Sequence, residues 1–227
     1  STLDYRVMQP FDATRELFPQ GSFHREDETD DGLFYDQPRL VVHVDEHAVA
    51  AIASYFGRVP PRDGVILDLM SSWRSHMPDD LPLENLVGLG LNDVEMAENP
   101  QLDQAVVHDI NTDPVLPFDD GTFDAAVLTV SVQYIVRPIE VFRQVNRVLR
   151  EGGSLHVVYS NRMFPTKAVA IWKALDDARR TQLITSYFHH SGGWRPPEAL
   201  DIRNHQEPYA DPVYVVSASK GREPGGG

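Results

Sequence analysis

The stretch Gly64-Val65-Ile66-Leu67-Asp68-Leu69-Met70-Ser71-Ser72-Trp73 limits the possible folds more than any other part of this chain. Its apolar run is short, continuous and without polar alternation, so both faces of the strand it forms must be covered. Such strands belong to parallel sheets with helices packed on two sides. Ligands in these sheets bind in the crevice beyond the carboxyl ends of the strands. The turn after Leu67, opened by the carboxylate of Asp68, is therefore the first place to look for chemistry.

The rest of the chain repeats the pattern. Residues 86–91, 105–109, 123–130 and 155–159 read as further strands, and Val213-Tyr214-Val215-Val216 as one more β-rich run. Asp45 caps a helix in which Ala48, Val49, Ile52 and Phe56 recur at helical spacing until Gly57 and Pro60-Pro61 stop it. A short helical stretch spans 93–98. A longer helix is expected over 138–150, with Pro138 in its first turn, Ile139, Phe142, Val145 and Leu149 on one face, and Gly152-Gly153 at its end. Helical segments fill roughly 166–190, closed by Gly192-Gly193. Pro78 and Pro82 argue against a long helix in the first crossover. The alternation gives an α/β fold with a doubly wound, mostly parallel sheet in a single domain. We place that domain at 45–220, after an N-terminal segment of 1–44 and before a Gly-rich tail, 221–227, expected to be disordered.

Composition excludes some function classes. The formal net charge of −14, without a Lys/Arg run, argues against a nucleic-acid partner, because phosphate binders carry basic patches. Cysteine is absent, which removes disulfides, thiolate metal sites and a cysteine nucleophile. His43 and His47 are four apart, but His43 precedes the Asp45 cap, so they do not share a helix face and no metal site is expected. No apolar run approaches the ~20 residues of a membrane span, and the opening residues lack a basic-then-apolar leader. A cytoplasmic protein without a membrane partner is the expectation; nothing in the sequence sets its oligomeric state. The acidic run Glu26-Asp27-Glu28-Thr29-Asp30-Asp31 reads either as a solvated loop or as a lid that orders over a pocket. Phe34-Tyr35-Asp36-Gln37-Pro38-Arg39 reads as local packing or as a segment reaching a bound ligand.

Several segments, in order, resemble the class I S-adenosylmethionine-dependent methyltransferases, and in pattern the small-molecule methyltransferases of the ubiquinone-biosynthesis type (methyltransferase type 11). Asp68 at the tip of the first strand is similar to the acidic residue of that family's first motif. Leu116-Pro117-Phe118-Asp119-Asp120-Gly121-Thr122-Phe123-Asp124 resembles the loop before its fourth strand, and Arg147-Val148-Leu149-Arg150-Glu151-Gly152-Gly153 its R-V-L-x-P-G-G turn before the fifth. The sequence departs from the family twice. Met70, Ser72 and Arg74 occupy the glycine positions of the first motif, and Gly90 stands where an acidic residue usually holds the ribose hydroxyls, with Asn92 or Asp93 the nearest polar substitutes.

The resemblance implies S-adenosylmethionine as cofactor and methyl transfer to a small-molecule acceptor. It places the cofactor against Asp68, Met70, Ser71, Ser72, Asn92, Asp109, Ile110, Ser131 and Gln133, with Asp109 near the adenine amino group. Arg74 or Arg39 offers a cation for the cofactor carboxylate. His76, Tyr134 and Asn161 are the candidate catalytic residues: His76 as a base, the other two orienting the acceptor. Each has a plain alternative. Ser71-Ser72 can cap a turn, His76 can be a surface histidine, and polar residues at strand tips can satisfy loop backbone. A carboxylate at Asp68 and the missing glycine fingerprint disfavour a dinucleotide. Two rivals remain: a methyltransferase-fold binding or regulatory protein without methyl transfer and, more weakly, a nucleotide-cofactor oxidoreductase.

Overall fold

The computed structural model describes residues 5–7, 18–34 and 44–221. Tyr35 to Arg39, His43 and the tail beyond Gly221 lie outside the described residues. In chain order the elements are β1 (Arg6–Val7), α1 (Asp31–Phe34), α2 (Glu46–Phe56), β2 (Val65–Leu69), β3 (Asn85–Gly90), α3 (Asp93–Ala97) and β4 (Gln104–Val107). There follow β5 (Phe123–Thr129), a 3-10 turn at Val132–Tyr134, α4 (Pro138–Val148), β6 (Leu149–Tyr159), α5 (Ala170–Ala174), α6 (Asp177–Ser191), β7 (Glu198–Asp201) and β8 (Tyr214–Ser219).

All eight strands form one sheet, in the order β1-β7-β8-β6-β5-β2-β3-β4. The run from β6 to β4 is parallel throughout. β8 inserts antiparallel between β6 and β7, and β1 adds antiparallel to β7 at the edge. The doubly wound, mostly parallel sheet expected from the sequence is the sheet observed. From β2 the chain winds outward to β3 and β4, then returns to β5 on the other side. The winding therefore reverses between β2 and β5, which opens a crevice at their carboxyl ends.

Pleating explains the continuous apolar runs. Successive side chains face opposite sides of the sheet, and each side has its own core. Leu67, Ala126, Leu128, Leu155, Val157 and Val216 pack with α4 and α6, through Phe142, Val145, Ile184 and Phe188. Ile66, Ala125, Val127, Val158 and Val215 pack with α2, through Ala48, Ile52 and Phe56. Asp45 caps α2 as expected, its side chain accepting the Ala48 N–H at 2.8 Å.

One boundary differs from the sequence reading. α4 ends at Val148 because Leu149 turns extended, and β6 starts there and runs through Gly152-Gly153. This glycine pair shapes a strand entry instead of stopping a helix. Gly152 has φ 78°, and a Cβ on Gly153 would stand 2.9 Å from both the Arg150 and Asp124 carbonyl oxygens.

The acidic N-terminal run is divided. Glu26, Glu28 and Asp30 are exposed, whereas Asp31 is buried and held by Arg25 at 2.7 Å and by Lys167 at 3.0 Å. Lys167 is fully enclosed and also donates to the carbonyl of Thr29 at 2.8 Å. Backbone bonds from Asp27 to Thr166, Ala170 to His24 and Ile171 to Ser22 dock the segment beside α5.

Candidate functional site

β2 ends at Leu69 and the chain reverses at Met70 with φ 52°, a left-handed turn that a non-glycine residue adopts at a cost. The loop that follows is pinned by side chains. The Ser71 N–H donates to the Leu89 carbonyl at 2.8 Å. The hydroxyls of Ser71 and Ser75 both donate to Oδ2 of Asp68, at 2.8 and 2.7 Å. Asn99 Nδ2 donates to Ser75 Oγ and to the Ser72 carbonyl, and Gln101 brackets the Met77 backbone on both sides. Asp68 is 3% exposed. Burial pushes its carboxyl up to about 6, against the opposing pull of the Ser75 and Ser71 hydroxyls. Oδ1 accepts no hydrogen bond among the described residues, and Asp68 lines the cavity described below.

The two departures from the family pattern meet in one contact. A Cβ on Gly90 would lie 2.3 Å from the Ser71 carbonyl oxygen, and one on Gly88 would lie 2.9 Å from Ser71 Oγ. The loop after β2 leans on β3 at the two places where β3 has no side chain. A side chain at 90, acidic or otherwise, is incompatible with the loop as it lies.

The tips of β2, β3, β4 and β5 surround a cavity that encloses about 1170 Å³ of open space, its mouth included. Asp68, Met70, Ser71, Ser72, His76, Asn92, Asp109, Ile110, Ser131 and Tyr134 all line it. Gln133 and Asn161 do not. Gln133 is buried behind the wall, its Nε2 donating to the carbonyls of Val130 and Arg162, while Asn161 is exposed at the tip of β6. The Asp109 carboxylate lines the cavity and also closes its own loop, accepting from the Asn111 N–H at 2.9 Å and the Thr112 hydroxyl at 3.0 Å. Asn92 accepts the Glu95 N–H at 3.0 Å and so caps α3.

Sequence reasoning missed several lining residues. Asp31 and Asn111 meet at 2.8 Å, and Asn111 also donates to the Tyr134 carbonyl, so the β4 loop, α1 and the 3-10 turn are tied together. Phe164 faces Tyr134 across 6.1 Å, and its N–H donates to the Tyr134 hydroxyl at 2.7 Å. At the mouth the Arg74 guanidinium stacks 3.8 Å over the Trp73 ring. Thr129 Oγ1 and Ser131 Oγ are enclosed without a hydrogen-bond partner among the described residues. Asp31, Asn111, Thr129 and Phe164 reach the cavity only through the fold, whereas Ser131, Tyr134 and Arg74 were among the residues read from the sequence. The single local signal was the polar character of residues 129–134 after an apolar strand.

Backbone strain concentrates at the same place. Four non-glycine residues among those described have positive φ, and three of them, Met70 (52°), His76 (61°) and Val130 (53°), line the cavity. For β-branched Val130 this is a genuine outlier.

Comparison with known proteins agrees with the geometry. A methyltransferase-domain family model matches residues 82–157, from just before β3 to near the end of β6. The ubiquinone/menaquinone biosynthesis C-methyltransferase of Geobacter sp. (strain M21) is 33% identical over 60 residues, which are 26% of this chain and 24% of that protein. The chain therefore matches about a quarter of that relative's length. Among solved structures, the cyclase SpnF superposes with a TM-score of 0.57 at 15% identity, covering 85% of this chain and 96% of that one. An S-adenosylmethionine-dependent methyltransferase of Thermotoga maritima superposes with a TM-score of 0.55 at 13% identity, covering 78% and 90%. This is a class I methyltransferase fold. The resemblance read from the sequence is borne out. In this methyltransferase fold the two best-matching motifs form a brace away from the cavity. Arg147 donates to the carbonyls of Leu116 and Phe118 and pairs with Asp120, and Asp124 accepts from Arg150 and from the Val65 N–H.

Proposed function

We propose that this chain is an S-adenosylmethionine-dependent methyltransferase acting on a small-molecule acceptor. The cofactor lies over the tips of β2, β3 and β4, and the acceptor over the tip of β5. The observation that carries this reading is the lining of the cavity at the switch point of a methyltransferase fold. Among the described residues, Asp31, Asp68, Glu95 and Asp109 line it against one guanidinium, that of Arg74. Such a lining attracts a ligand bearing an ammonium and a sulfonium and repels a pyrophosphate. The enclosed hydroxyls of Thr129 and Ser131 fit the same reading, since a polar ligand would satisfy them.

When bound, the cofactor supplies an electrophilic methyl group on a sulfonium sulfur. The chain supplies orientation and shelter. Asp68, fixed by two serines through one oxygen, presents the other to a cationic group. Ser71 and Ser72 hold the loop with side-chain hydroxyls in place of the close approach that glycine would allow. Asp109 and Ile110 wall the adenine end. Tyr134 and Phe164, joined by their hydrogen bond, wall the acceptor side with Asp31 of the N-terminal segment, which acts as a fixed wall of the site. Gln133 supports the strained carbonyl of Val130 from behind. His76, at the cavity edge, is positioned to accept a proton from an acceptor that needs to lose one. Aligning two partners and excluding water accounts for much of the rate gain of such a transfer.

A second reading, a methyltransferase fold without methyl transfer, draws support from the likeness to SpnF, a cyclase. Calorimetric titration with S-adenosylmethionine, S-adenosylhomocysteine and a nicotinamide dinucleotide separates the alternatives. Heat with the first two and none with the third is expected, and silence with both adenosyl ligands at millimolar concentration would sink the proposal.

A further inference from the structure

A ligand carrying a ribose brings a vicinal diol, and a buried carboxylate with two acceptor oxygens is the side chain best suited to hold it. The end of β3 is the place for such a group in a doubly wound fold. Here that place is closed, because the Ser71 carbonyl oxygen occupies the position of a Cβ at Gly90. The loop cannot easily yield, since Ser71 is fixed through its N–H to Leu89 and its hydroxyl to Asp68. Of the polar residues that follow, Asn92 lines the cavity but uses its Oδ1 to cap α3, and Asp93 is exposed and outside the lining.

Resting on the cofactor reading above, we infer that Glu95 holds the ribose diol of the bound nucleoside. Glu95 is 7% exposed and lines the cavity from the first turn of α3. Its backbone is fixed by the Asn92 cap, so its side chain starts from a rigid point beside the closed end of β3. A longer side chain, placed one helical turn further along the chain, replaces a short one that the loop leaves no room for. The diol-binding group thus moves from strand to helix, and the site selects ribonucleosides through a residue outside the strand.

The test uses S-adenosylhomocysteine and its 2′,3′-dideoxyribose analogue with the full chain, by calorimetry, on wild type and on Glu95→Gln. Wild type should bind the ribose form roughly 10- to 100-fold more tightly, the range of a charge-assisted hydrogen bond. Glu95→Gln should lose most of that preference while binding the dideoxy analogue within about twofold of wild type, the additivity expected where no contact is removed. Wild type binding both ligands equally would overturn the assignment without reliance on any variant. So would a Glu95→Gln protein that keeps wild-type affinity for S-adenosylhomocysteine, or one that loses both ligands equally while its thermal unfolding is unchanged. Wild type that binds neither ligand would remove the cofactor reading itself and this assignment with it.

Discussion

Asp68 and His156 are both enclosed in the sheet, and burial acts on their protons with opposite consequences. Burial raises the Asp68 carboxyl from 3.8 to about 6, so between those values the folded state holds a proton that the unfolded chain has lost. Its contribution to stability is fully present below about pH 4 and is lost as pH rises to about 6. Burial lowers His156 from 6.5 to about 4, with Tyr55 and Ser154 each 2.7 Å from a ring nitrogen. Its contribution is present above pH 6.5 and is lost as pH falls through about 4. Each change amounts to about 3 kcal/mol, and across the shared window they offset one another. We therefore expect denaturant titrations of Asp68→Asn to show stability rising more steeply with pH than wild type between about 4 and 6. His156→Gln should show the reverse. Parallel pH profiles for both variants and wild type would show that neither group is protonated as described. The sequence marked Asp68 as the opening carboxylate but gave no hint that two serines would share one of its oxygens, because Ser75 is brought back to it only by the folded loop.

The elements were largely legible, and what escaped has a physical reason. Runs covered on both faces are apolar throughout, so β2, β3, β5 and the second half of β6 stood out. β7 and β1 are short strands at one edge, Glu198 to Asp201 carries three polar or small residues, and neither announces itself. The recognisable motifs around Arg147 and Asp124 brace the ends of strands away from the cavity, which is why the fold was easier to read than the site. The N-terminal segment is the clearest case. Its charge suggested a solvated loop, yet Asp31 lies buried between Arg25, Lys167 and Asn111. Removing one partner of a buried ionic cluster leaves the others uncompensated, at about 3–5 kcal/mol. Asp31→Ala should therefore lower unfolding stability by about that amount and expose residues 18–34 to limited proteolysis. A loss under about 1 kcal/mol, within the range of a surface pair, would mean that the segment is docked by its backbone bonds alone.

Across the whole molecule, the sheet divides into a binding half, β4-β3-β2-β5, and a supporting half, β6-β8-β7-β1. The cavity draws its lining from the first half, together with the loop after β2, Asp31 and Phe164. S-adenosylhomocysteine at a hundred times its dissociation constant should stabilise the fold by about 2.7 kcal/mol. Hydrogen exchange should slow most over residues 70–77 and 109–112, with the edge strands responding only to the global gain. Equal protection everywhere would place the ligand outside this cavity. The contact between the Ser71 carbonyl and Gly90 also bears on how such a chain can change. An acidic side chain at 90 cannot be accepted while the loop rests there, and the loop has no reason to lift while strand β3 leaves it a bed. The constraint runs one way: glycine in the loop, at Met70 for instance where φ is already 52°, is compatible with Gly90, whereas a side chain at 90 requires the loop to be rebuilt first.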